Sequence, residues 1–106
     1  MCFVDKKNRP PLGKRLKEIR IIKKLSQKEL GIQAGIDPFS SSARINQYEK
    51  EKHVPDYLTA SLLAYVLDIP VAYLYTEDDE LADFILAYCK ATKTKKKKVN
   101  LILLSD

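Results

Sequence analysis

Ser41, Ser42, Ala43, Arg44, Asn46 and Gln47 stand close together in the stretch SSARINQYE. The amides of Asn46 and Gln47 match the donor and acceptor edge of adenine, and the Arg44 guanidinium matches guanine or a phosphate. Ala43 offers a small apolar contact for a thymine methyl. On a helical wheel centred on Ile45, Ala43 and Gln47 fall about 160° and 200° away, flanked by Asn46 and Arg44. Ile45, Tyr48 and Glu49 share the opposite side. These residues suit hydrogen bonding to base edges. Bond-making chemistry has no such set: the chain holds no Ser/His/Asp constellation, no metal-ligand spacing and no phosphate loop. No enzyme activity and no cofactor are expected.

A helix that reads bases must be held by others, and the chain supplies them. Leu12, Leu16, Ile19 and Ile22 recur at helical spacing, with Lys14, Arg15, Lys17, Lys23 and Lys24 on the other face. Ser26 and Glu29 form the signature of a capping box that opens a second helix, with Leu30 and Ala34 inward and Gly35 ending it. Pro55 and Asp56 start a fourth helix with an expected stripe of Leu58, Leu62, Tyr65, Val66 and Ile69. VAYLY is long enough for one short helix. Thr76 and the acids after it read as a capped first turn for Leu81, Phe84, Ile85 and Tyr88. Val99 to Leu104 fits strand or helix by period alone. With no partner strand elsewhere, helix is expected.

The net charge of +5 is unevenly placed: residues 1–55 hold 13 Lys/Arg against 6 Asp/Glu, and residues 56–106 hold 6 against 8. A basic half suits a polyanion and the mildly acidic half suits protein. No apolar run approaches the roughly 18 residues of a membrane span, so no membrane partner and a cytoplasmic location are expected. Cys2 and Cys89 read as free thiols, and His53 as a surface loop histidine. Lys14, Arg15, Lys28 and Lys52 are candidate phosphate clamps. Gln27, at the start of the second helix, is placed for a phosphate oxygen.

GKRLKEIR, LSQKELGIQAGI, ARINQYEKEK and LDIPVAYLY together resemble the Cro/cI-type, lambda repressor-like family of helix-turn-helix transcriptional regulators, over about residues 12–75. The resemblance implies base contacts at Ser42, Ala43 and Gln47, and a phosphate contact at Gln27. It also implies an ion pair between Arg20 and Glu49 that locks the third helix to the first. Gly31 stands where the family more often has alanine; glycine preserves the close crossing of helices at about 0.5–1 kcal/mol of helix stability. The expected fold is all-α: a basic arm over 1–11, a five-helix DNA-binding domain over 12–75, and a helical extension over 76–106 that serves dimerisation. The expected function is sequence-specific binding of double-stranded DNA by a homodimeric repressor, reading the major groove with helix three over about 41–50. The alternative is a protein-interaction module, such as an antitoxin or coactivator-like adaptor, with secondary DNA binding. A small-molecule effector is not legible.

GIDPFSSS is four residues longer than the family's usual turn. In one placement DPFSS is an enlarged turn, capped by serine, and helix three begins at Ser41 or Ser42. In the other, Asp37 caps and Pro38 opens a helix one turn longer. Three serines make poor helix interior, which favours the first. Phe39 is expected to cover the core beside the turn.

Overall fold

A computed structural model describes residues 10–105; residues 1–9 of the expected basic arm lie outside it. Seven helices follow in order among the described residues: α1 Leu12–Ile22, α2 Gln27–Gln33, α3 Ser41–Glu49, α4 Tyr57–Leu67, α5 Val71–Tyr75, α6 Asp79–Lys90 and α7 Lys93–Leu104. The 99–104 segment is helical.

Local chemistry sets most of the boundaries. Ser26 Oγ accepts from the Glu29 amide, and the Glu29 carboxylate accepts from the Ser26 amide, each at 2.9 Å. That is the reciprocal capping box. Gly35, at φ +93°, turns the chain out of α2. Asp56 caps α4 by accepting from the Thr59 amide at 2.8 Å. The cap of α6 is Asp78, which accepts from Glu80; the expected Thr76 instead donates its hydroxyl to the Ala72 carbonyl.

Leu16, Leu30, Ile45, Leu63, Leu67 and Leu74 are fully buried. They come from α1 to α5 and meet at one centre. The apolar stripe of α4 differs from expectation. Ala60, Leu63, Ala64 and Leu67 face inward, whereas Leu58, Leu62 and Tyr65 are exposed, Tyr65 by 84%. The segment YLTASLLAYVL is apolar on almost every side, so periodicity does not select a face. Ala60 and Ala64, two small residues of this segment, lie in the core at 0% and 2% exposure. Ile22 is likewise 69% exposed, because α1 runs past the core after Ile19 and the chain turns at Lys24 with φ 59°. In α6, Ala82 is buried with Ile85 and Leu86 partly so, while Leu81 and Phe84 face outward.

No helix among the described residues is long and apolar enough to cross a membrane.

Candidate nucleic-acid interface

Two glycines let α3 sit close against its supports. A Cβ on Gly31 would meet Ser41 Oγ at 1.9 Å and Ile45 Cγ1 at 3.2 Å. A Cβ on Gly13 would meet the Tyr48 carbonyl oxygen at 2.6 Å and that of Glu49 at 2.8 Å. Gly31 therefore admits the N-terminal end of α3, and Gly13 admits its C-terminal end against α1. Between these ends Ile45 is fully buried and Tyr48 nearly so.

Hydrogen bonds fix the rotation of α3. Arg20 donates from Nε to Glu49 Oε2 at 2.6 Å and from Nη2 to Oε1 at 3.1 Å, a bidentate pair. Its Nη1 donates to the Leu25 carbonyl at 2.9 Å. The pair is largely dry, with side-chain exposures of 12% for Arg20 and 3% for Glu49. Gln27 extends it: its Nε2 amide donates to Glu49 Oε1 at 3.0 Å and to Asn46 Oδ1 at 3.2 Å. Four side chains from three helices thus lock one another.

What faces solvent is Ser42, Ala43, Arg44 and Gln47 on α3, Lys28 on α2, and Lys52 just beyond α3. Asn46 and Gln27 are half-buried at the edge of this surface. Arg44 and Gln47 also line a cleft of about 370 Å³ with His53, Asp56 and Thr59. The hydrogen bond from the Thr59 amide holds the Asp56 carboxyl below its ordinary range, and the Arg44 charge adds to this.

The family model described as a helix-turn-helix domain matches residues 13–80. The chain belongs to the helix-turn-helix family. A solved structure, the crystal structure of the transcriptional regulator BswR, is 47% identical to it with a TM-score of 0.84, over 90% of this chain and 94% of that one. A search of the curated proteins found no match. The chain is accordingly a DNA-binding helix-turn-helix transcriptional regulator, all-α in fold.

Several of the regulator's side chains differ from their expected tasks. Ser41 is fully buried and donates its hydroxyl to the Lys28 carbonyl at 2.7 Å, so it faces α2 and not DNA. The α3 helix begins at Ser41, but its N-cap Ser40 makes no side-chain cap bond. The turn is built instead by Asp37, whose carboxylate accepts from the Phe39 amide and whose carbonyl accepts from the Ser40 amide. Phe39 points wholly into solvent and covers none of the core. Both amide hydrogens of Gln27 are engaged by Asn46 and Glu49, which leaves its side chain no donor for a phosphate.

Arg15 is the largest departure from the expected phosphate clamps. It is 2% exposed, donates to the carbonyls of Thr76 and Glu77 and to Asp79 Oδ1, and lies over the Tyr73 ring at 5.3 Å. It fastens α1 to the chain between α5 and α6. Lys14 stays exposed, 3.6 Å from Asp79. A helical position one removed from the Leu12, Leu16 stripe was the available hint that Arg15 turns inward. The carbonyls that receive it are far away in sequence and leave no local signal. Among the described residues no group of three or more His, Cys, Asp or Glu is placed to hold a metal.

Proposed function

We propose that the regulator is a sequence-specific repressor that lays α3 in the major groove and reads base edges with Ser42, Ala43, Arg44, Asn46 and Gln47, while Lys28 and Lys52 hold phosphates. The observation that carries this reading is the division of α3 into a locked, buried side (Ile45, Tyr48, Glu49) and an exposed polar side in fixed rotation. A reading surface of this kind needs no reorganisation on binding, which keeps the entropic cost of docking low.

The Gln27–Asn46 bond refines the reading. It leaves the Gln27 carbonyl oxygen as an acceptor and the Asn46 Nδ2 amide as a donor, neither with a partner among the described residues. One acceptor beside one donor complements the N6 amine and N7 of adenine. Gln27 thereby contributes to specificity by orienting Asn46. One helix-turn-helix covers one half-site, so two copies act together on sites spaced about one DNA turn apart. Occupying such a site blocks transcription, which is the repressor's mode.

In-vitro selection of bound DNA tests this reading. It is expected to yield a two-half-site consensus whose affinity falls steeply with salt and also depends on sequence. Affinity that depends on salt but not on sequence would replace this reading with the protein-adaptor one.

A further inference from the structure

The cleft beside the reading surface sets a negative charge against residues proposed to touch DNA. Arg44 and Gln47 enter it from α3, His53 from the segment that follows, and Asp56 and Thr59 from the start of α4. Among the described residues lining it, Asp56 carries the one carboxylate. Its Oδ1 accepts from the Thr59 amide at 2.8 Å, so the first turn of α4 holds the group in place. The same hydrogen bond keeps the carboxyl below its ordinary range, with the Arg44 charge a smaller contribution in the same direction. Asp56 is therefore ionised at neutral pH. Across the cleft, the Arg44 guanidinium makes no hydrogen bond or ion pair among the described residues and is exposed.

Capping alone does not call for this charge. Ser26 and Thr92 cap α2 and α7 with hydroxyls, and asparagine caps a helix as well as aspartate does. Beside DNA the charge has a further effect. Most contacts to DNA go to phosphate and sugar, which carry no sequence information. A free guanidinium can take either a phosphate or the O6/N7 edge of guanine. The amides at a helix start also attract phosphate, whatever the sequence. A carboxylate fixed in the same cleft repels phosphate from both. The edge of guanine has no net charge and meets far less of this repulsion.

We propose that Asp56 is a specificity-determining residue: its carboxylate, held in the Arg44 cleft by the start of α4, disfavours phosphate there and leaves the Arg44 guanidinium to a base edge. Binding to DNA at large is thereby weakened more than binding to the preferred site. The inference deepens the proposed reading of bases by α3 and rests on it.

Competition binding tests it with two duplexes of equal length, one recovered by selection and one scrambled. Asp56→Asn keeps a capping side chain and removes the charge, and its melting midpoint checks that α4 is intact. It is expected to bind the scrambled duplex about tenfold tighter and the selected one about twofold tighter, so discrimination falls about fivefold. The salt slope on the scrambled duplex is expected to steepen by about one. Asp56→Ser, a second neutral cap, is expected to behave alike. In an Arg44→Ala background, Asp56→Asn is expected to leave discrimination unchanged, since no guanidinium remains to be directed. No gain, equal gains on both duplexes, or a loss of discrimination that persists without Arg44 would overturn the inference and leave the reading of bases standing. A wild type that binds both duplexes alike would overturn the reading and the inference together.

Discussion

Ser41 Oγ occupies the space into which a methyl group on Gly31 would project. The hydroxyl donates to the Lys28 carbonyl one turn before Gly31, and a Cβ there would lie 1.9 Å from it. The small residue at this helix crossing and the residue that fills it form a matched pair. The turn ends where the pair begins: Asp37, Pro38 and Phe39 are exposed, and Ser41 is buried against α2.

This pairing makes Gly31→Ala destabilising despite alanine's better helix propensity. The expected loss is about 1–3 kcal/mol, as for overpacking of a tight core. Ser41→Gly in the same chain removes both the Oγ and the Cβ that obstruct the methyl, and is expected to recover part of the loss. Urea unfolding of the two single variants and the double one measures the coupling. Strict additivity would show that the two sites do not meet.

Glu49→Gln removes the charge that Arg20 and Gln27 converge on. With Arg20 left in a largely dry position, a loss of about 3 kcal/mol is expected. DNA affinity should fall as well, because α3 loses the bonds that fix its rotation. Equal unfolding midpoints for variant and wild type would show that the pair contributes nothing to stability.

Gln47→Ala and Lys52→Ala separate reading from holding. The first is expected to relax preference at one base pair by about 1–3 kcal/mol. The second is expected to weaken all sequences alike and to reduce the salt slope by about one. Competition binding over a salt series distinguishes them, and a uniform loss for Gln47→Ala would remove it from the reading surface.

Asp79 links acid stability to the Arg15 anchor. The hydrogen bond from Arg15, with the charge of Lys14 beside it, holds the Asp79 carboxyl below its ordinary value. Because the folded-state value is lowered, the stabilisation is present above the unfolded value of about 4 and is lost as pH falls through the folded one. Asp79→Asn is therefore expected to be less stable than wild type at neutral pH, with the difference closing in strong acid. Urea midpoints at the two pH values give the comparison. A gap that persists unchanged in acid would mean that the Asp79 charge is not its source.

Much of the helical order was legible from residues near one another in sequence. The capping box at Ser26 and Glu29, the glycine at 35 and the cap at Asp56 act within a single turn, so their signals are local. The C-terminal register of α3 was legible for the same reason, since Ile45, Tyr48 and Glu49 mark a buried side that excludes Ala43 and Gln47. The face of α4 was not, because leucine and tyrosine lie all round it.

By itself, then, the sequence determined an all-helical chain and the helix whose exposed polar side chains are proposed to read DNA. Only the tertiary structure decided that Ser41 faces α2, that Arg15 is a buried anchor, that Gln27 orients Asn46, and that Gly13 admits the end of α3. Each of these rests on groups brought together across 10 or more residues of chain: Lys28 with Ser41, Arg15 with Thr76, Gln27 with Asn46, Gly13 with Tyr48. Hydrogen bonds and close backbone approaches depend on atomic positions a few tenths of an ångström apart, and those positions exist only once the helices have packed.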